Sequence, residues 1–273
     1  MDQLSVGGVS VPVLGLGTYS MEGERLRLAV NTALGVGYTW FDTAYRYKNE
    51  RELGKALRCV DSQRGWVSSK LSGLQYVGER KWWYLNRVSA KKALKGSLKR
   101  LDVRQLDMYM LHSPFNHYEK AYAELIALRE TGLVRLSGVS GFDENQLKHI
   151  KQFCGEYPQF NMVECHPHFS NKGLIAFCRE NGVQVIARSP FAHGLILPVL
   201  GKDEGLSAMS KRYDKSVPQL VLKWMVQQGL AVVVRSCDPN HIRENIDIFD
   251  FELAEGEMEY IDGLNLDQSY GVR

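Results

Sequence analysis

No two cysteines in this chain are spaced as CxxC, and the five present, Cys59, Cys154, Cys165, Cys178 and Cys237, make an odd count. That excludes a disulfide framework as the organising device; the thiols read as free or buried in a reducing compartment, and a cytoplasmic location is expected. A block of one charge sign is missing as well. The 34 Lys and Arg residues are interspersed with 31 Asp and Glu, which argues against a nucleic-acid surface and against a disordered charged tail. The longest uncharged apolar stretch, residues 190–200, contains Pro190 and Pro198 and falls short of the ~20 residues a membrane span needs. Nothing near Met1 resembles a signal peptide. Cys165-His166-Pro167-His168 fits no standard zinc spacing, so no metal is expected. Gly15-Leu16-Gly17 lacks the third glycine of a dinucleotide-binding fingerprint, and no acid follows at the end of a second strand, so a Rossmann unit is rejected.

What is present is a soluble, core-forming composition: 273 residues, 44% hydrophobic and 24% charged. That length suits two ordinary domains or one α/β barrel of ~250 residues. The stretch from Gly37 to Gly54 shows how the chain is built. A short apolar run, Tyr38 to Phe41, stops at Asp42; a loop carries Tyr45 and Tyr47; then Leu53, Ala56 and Leu57 mark one face of a helix.

The same unit recurs. Apolar runs end at Gly17, Asp42, Lys70, His112, Ser140, Glu164, Ser189 and Arg235. Between them lie amphipathic segments such as 119–130, with Ala121, Leu125 and Leu128 on one face, and 172–179, with Leu174, Phe177 and Cys178. Gly132, Gly155 and Gly182 punctuate helix ends. Eight alternating units predict a parallel (β/α)8 TIM barrel in one domain, residues 1–273; an open doubly wound sheet is the alternative. Two short alternating runs around Gly7-Gly8 predict an N-terminal hairpin plugging one end. Two intervals are longer than the rest. They place long loops at 71–88, carrying Tyr76, Trp82, Trp83 and Tyr84, and at 191–216. Trp82 and Trp83 either wall a substrate pocket or pin their loop to the barrel.

In such a barrel Asp42, Lys70 and His112 come from three successive strand ends and share one mouth with Tyr47. A phenol of pKa ~10 is a weak proton donor at neutral pH. A nearby ammonium stabilises the phenolate and is expected to lower that pKa. Asp42 would keep Lys70 charged, and His112 would donate to a carbonyl oxygen as negative charge builds there. Tyr47 is then the candidate general acid of a carbonyl reduction. A purely structural ion pair with a Tyr and a His nearby is the competing reading.

These residues sit within longer motifs. They include Pro12-Val13-Leu14-Gly15-Leu16-Gly17-Thr18, Asp42-Thr43-Ala44 with Asn49-Glu50, Ser69-Lys70-Leu71, and Leu111-His112 before Pro114. Further along come Gly138-Val139-Ser140 before Phe142, Val163-Glu164 before His166-Pro167, Ser189-Pro190, and Arg235-Ser236 with Arg243-Glu244-Asn245. Over nearly its full length the chain resembles the aldo-keto reductase superfamily, of the aldose/aldehyde reductase type. The resemblance implies NADPH/NADP+ as cofactor, a small-molecule carbonyl substrate, and Asp42, Tyr47, Lys70 and His112 as the catalytic tetrad.

It also implies a cofactor path. Gly17, Thr18, Asp42, Ser140, Met162 and Arg188 would lie at the nicotinamide end, and Ser189 and Phe191 near the pyrophosphate. Arg235, Ser236, His241, Glu244 and Asn245 would lie near the adenosine 2′-phosphate and adenine. Tyr19, Tyr47, His112, Ser113, Trp82 and Trp83 would line the substrate pocket. Several positions depart from the family pattern: Gly141 stands for an Asn, Met162 for a Gln, Arg188 for an aromatic, Ser113 for a Trp and His241 for an Arg. The short stretch after Ile261 implies an open pocket, and a monomer is expected. A cofactor-binding regulatory or structural barrel with little activity is the competing function; an isomerase or aldolase using Lys70 as a Schiff base is disfavoured because a lysine paired with Asp42 stays protonated.

Overall fold

The chain is described here by a computed structural model covering residues 3–58, 65–73, 80–81, 84–85 and 89–271. The alternating runs around Gly7-Gly8 form a hairpin, β1 (Gln3–Val6) with β2 (Val9–Pro12), and both turn glycines have positive φ. The eight expected core strands follow. They are β3 (Leu14–Gly17), β4 (Trp40–Asp42), β5 (Trp66–Leu71), β6 (Leu106–Leu111), β7 (Val134–Ser140), β8 (Phe160–Glu164), β9 (Gln184–Arg188) and β10 (Ala231–Val234). All pair in parallel, and they close in the order β8-β9-β10-β3-β4-β5-β6-β7. The open sheet is ruled out by the pairing of β3 with β10.

Each strand divides its side chains by the period of two. Phe41, Val67, Leu111, Val139 and Ala187 face outward and pack with the surrounding helices. Trp40, Met110, Phe160, Met162, Ile186 and Val233 face inward and form a second cluster, closed from below by Val6 and Val11 of the hairpin. The barrel is therefore filled rather than hollow, and only the last inward residue of each strand can meet a ligand at the top.

Two helical readings are corrected by tertiary packing. Helix Lys172–Glu180 buries Ile175 and Cys178, leaving Leu174 and Phe177 only partly covered. The stretch 191–216, expected to be a loop, is largely helical: short turns at Ala192–Gly194 and Leu197–Leu200 precede a helix at Glu204–Tyr213. Asp203 caps that helix by accepting from Leu206 N at 2.8 Å, and Leu206 and Met209 are its buried face. The other long connection, 71–88, lies mostly outside the described residues, as do Trp82 and Trp83. No helix among the described residues is long and apolar enough to cross a membrane.

Trp40 sets a close approach inside the barrel. A Cβ at Gly15 would lie 2.6 Å from the Trp40 ring, so the indole rests directly on the β3 backbone. Its Nε1 donates to Ser68 Oγ at 2.9 Å, and Ser68 Oγ donates in turn to Asp42 Oδ1 at 2.7 Å. Gly15→Ala should displace the indole and, by overpacking, destabilise the fold by about 1–3 kcal/mol. Urea unfolding followed by tryptophan fluorescence measures this; an unchanged midpoint would mean that Trp40 is not confined by Gly15.

Candidate active site

The inward residues at the C-terminal ends of the strands form the floor of the mouth: Asp42, Lys70, Ser140, Glu164 and Arg188, with His112 one residue beyond β6. Asp42 and Lys70 are both buried, and Lys70 Nζ lies 2.5 Å from Asp42 Oδ2 and 3.0 Å from Thr43 O, donating to each. Every acceptor on the Asp42 carboxylate is thus engaged from below or beside. Breaking such a pair by removing one partner costs on the order of 3–5 kcal/mol, because the remaining charge is left buried.

Tyr47 ends a 3-10 turn, Tyr45–Tyr47, whose exit residue Lys48 is left-handed at φ 60°. The turn is held by the two residues after it. Asn49 Nδ2 donates to Thr18 O at 2.7 Å and to Met21 O at 2.9 Å, while its Oδ1 accepts from Thr43 Oγ1 at 2.7 Å. Glu50 is buried and accepts from Ser69 Oγ at 2.6 Å and Arg100 Nε at 2.7 Å. The role of the Asn49-Glu50 motif is thereby visible: both side chains clamp the Tyr47 turn to neighbouring elements. The Tyr47 ring stands edge-to-face against His112, centroids 5.6 Å apart, and against Tyr19 at 5.1 Å. Lys70 Nζ is 5.1 Å from its centroid. Asp42, Tyr47, Lys70 and His112 are therefore gathered in one place. Ser113, next to His112, is half-buried.

Protonation follows from burial and charge. Burial pushes the Tyr47 phenol up and outweighs the downward pull of Lys70; the expectation that Lys70 lowers the phenol's pKa is corrected in this respect, because the half-buried ring sits in too dry a place for one paired ammonium to prevail. Burial also opposes charge on Lys70, but Asp42 and Tyr47 overcome it and raise its pKa. Burial, then Lys70, Arg46 and Arg188, bring His112 down to about 3. At neutral pH the mouth holds a neutral phenol, an ammonium and a neutral imidazole. His112 Nδ1 is buried and has no partner among the described residues.

Residues assigned by resemblance to the cofactor are spread along one side of this mouth. The Ser140 hydroxyl, the Arg188 guanidinium and the buried Asn245 amide make no hydrogen bond within the described residues. Ser189, Ala192 and His193 are left-handed, at φ 55°, 46° and 59°, so the loop after β9, which also carries Phe191, holds an unfavourable backbone shape. Arg235 spends Nε on Tyr19 O and Nη2 on Ser20 Oγ, both at 3.2 Å. Ser236 Oγ accepts from Asp238 N at 3.1 Å. Thr18 Oγ1 donates to Asp42 O at 2.9 Å, and Gly17 stands over Val233, which a Cβ would meet at 3.0 Å.

Unpaired donors beside a strained loop fit a polyanionic dinucleotide. Three assigned positions are less directly placed. Met162 is buried in the inward cluster, and His241 is exposed and Glu244 half-buried on helix Pro239–Ile246. Gly141 is left-handed at φ 71°, its N donates to Met162 O at 2.8 Å, and nothing lies within 4 Å of an added Cβ. The site also includes residues the sequence did not reveal. Asn161 Nδ2 donates to Phe142 O at 2.7 Å and steadies the loop beside Ser140. Residues 269 and 270 fold back so that Ser269 Oγ and Tyr270 N donate to Glu164 at 2.8 and 2.7 Å. Among the described residues no group of three or more His, Cys, Asp or Glu is placed to hold a metal ion.

Comparison with known proteins agrees with this geometry. The Aldo/keto reductase family model matches residues 13–266. The mouse protein named aldo-keto reductase family 1 member D1 is 34% identical, over 96% of this chain and 90% of its own. An aldo-keto reductase enzyme from a deep-sea metagenome library superposes with a TM-score of 0.88 at 29% identity, over 98% of this chain and 96% of its own. A silkworm (Bombyx mori) aldo-keto reductase, solved in complex with NADP, superposes with a TM-score of 0.87 at 26% identity, over 99% and 95%. Eight parallel strands closed around a filled interior, a hairpin plug and a match over nearly the whole chain lead to one conclusion: this chain belongs to the aldo/keto reductase family.

Proposed function

We propose that this chain is an NADPH-dependent reductase of aldehydes and small ketones, of the aldehyde reductase type, with Tyr47 as the proton donor. The observation that carries the reading is the Tyr47 ring packed edge-to-face on His112 with the buried Lys70 ammonium 5.1 Å from its centroid. NADPH, when bound, supplies the hydride. Ser140, Arg188, Ser189, Arg235 and Asn245 are the residues that would hold it along the mouth.

The protein's own part is proton delivery. As the carbonyl carbon becomes an alcohol carbon, its oxygen gains charge and takes the proton from Tyr47 Oη. Lys70 stabilises the phenolate left behind, and Asp42 keeps Lys70 charged and in place. His112, neutral, offers an N–H to the same oxygen without competing as an acid. A protonated, Asp42-paired Lys70 has no free electron pair for a carbonyl, which weighs against Schiff-base chemistry. The buried charge pair beside the Tyr47 ring weighs against an inert regulatory barrel.

Tyr47→Phe removes the donor and keeps the ring. Aldehyde reduction should fall by at least ~10²-fold while NADPH binding, followed by fluorescence titration, stays near wild type; retained turnover would refute the role of Tyr47. The open space at Gly141 adds a second expectation. Asn tolerates a left-handed backbone, so Gly141→Asn should place an amide beside the nicotinamide end. One hydrogen bond of ~0.5–1.5 kcal/mol corresponds to a two- to tenfold faster hydride transfer in single-turnover kinetics. An unchanged or slower rate would show that the lack of an amide at Gly141 does not limit hydride transfer.

A further inference from the structure

Arg188 stands where β9 reaches the mouth. Ile186, two residues earlier, lines the barrel interior, while Val185 and Ala187 pack outward, so alternation puts the Arg188 side chain on the inward face. It is half-buried, and it makes no hydrogen bond or ion pair within the described residues. Its natural counter-ion is close by: Glu164 is its register partner on β8. That carboxylate is already occupied. Its Oε1 accepts from Tyr270 N at 2.7 Å and lies 3.1 Å from His166 Nε2, and its Oε2 accepts from Ser269 Oγ at 2.8 Å.

The charges of the mouth can then be followed from group to group. Lys70 is neutralised by Asp42 at 2.5 Å; Glu164 keeps its negative charge, but its oxygens are held by Ser269 and Tyr270 and it forms no ion pair with Arg188 among the described residues. Arg46, on the turn of Tyr47, also acts on His112, but it is exposed to water, which weakens its field. Among the described residues Arg188 is a partly desolvated cation with no ion-pair partner, and its field reaches Tyr47, His112 and His193. A hydride donor must lie against the carbonyl that Tyr47 protonates, so any productive nicotinamide ring sits within the same small space. Reduced nicotinamide is neutral, and oxidised nicotinamide carries a positive charge. In a half-dry mouth like charges a few ångströms apart repel strongly.

We infer that Arg188 makes this barrel discriminate by cofactor oxidation state, binding the neutral reduced ring more tightly than the cationic oxidised ring and so favouring reduction and release of the spent cofactor. The inference rests on the NADPH-dependent reading above, and binding measurements separate the two. A guanidinium that merely contacted the phosphates would strengthen both forms equally, since both carry the same phosphates. Only a charge at the ring changes the ratio.

The test is the ratio of dissociation constants for NADP+ and NADPH, measured by calorimetry on the full chain with no substrate present. Wild type should favour NADPH by at least about tenfold, on the order of one ring-sized charge contact. Arg188→Gln, which removes the charge, should bring the ratio to within about threefold, and Arg188→Lys, which keeps it, should preserve most of it. Circular dichroism and thermal unfolding establish that each variant is folded. Equal affinities in wild type, or a ratio that Arg188→Gln leaves unchanged while weakening both cofactors, would overturn the inference and leave the proposed reductase standing. Failure of wild type to bind either form would overturn both.

Discussion

The buried ion pair between Lys70 and Asp42 is the interaction on which the rest of the site depends. Neither charge reaches water, so each is tolerable only because the other is 2.5 Å away. The barrel fixes that distance: β4 and β5 are neighbours, with Asp42 in register with Ser68 two residues before Lys70. Ser68 and Trp40 hold the second carboxylate oxygen from beneath, and the absence of a side chain at Gly15 gives the indole its place. A hydrophobic contact deep in the barrel thus positions a charge at its mouth.

From that pair the electrostatics of the neighbours follow. A cation that cannot be discharged sits beside Tyr47 and His112. Burial first, and then this cation, keep the imidazole neutral, and the cation would stabilise the phenolate if Tyr47 gave up its proton. Burial keeps the phenol protonated in the meantime. In the proposed reaction Tyr47 is a donor held in reserve, not a standing phenolate, and Asn49 and Glu50 keep its turn in register with Thr18 and Ser69.

Much of this was legible in the sequence because it depends on local periodicity. The eight apolar runs ended within a residue or so of the observed strand ends, from Gly17 to Val234, and the Gly7-Gly8 hairpin formed as expected. The gathering of Asp42, Lys70 and His112 followed from strand-end position, with Tyr47 on the loop beside them. What escaped notice depends on contacts distant in sequence: Glu50 with Arg100, Asn161 with Phe142, and Glu164 with Ser269 and Tyr270. The helix at Glu204–Tyr213 was hidden because its buried face offers only Leu206 and Met209. The direction of the Tyr47 shift was misjudged because residue types give the sign of each charge but not the dryness around the ring.

The central claim is that a neutral phenol, with a neutral imidazole beside it, supplies the proton. The pH dependence of single-turnover aldehyde reduction, with saturating NADPH, tests it most directly. With His112 at about 3 and the phenol above its ordinary ~10, neither group changes protonation between pH 5.5 and 8.5. The account predicts a rate that is level across that window. A rate that falls with a midpoint near ~6.5 would make imidazolium His112 the donor and contradict it.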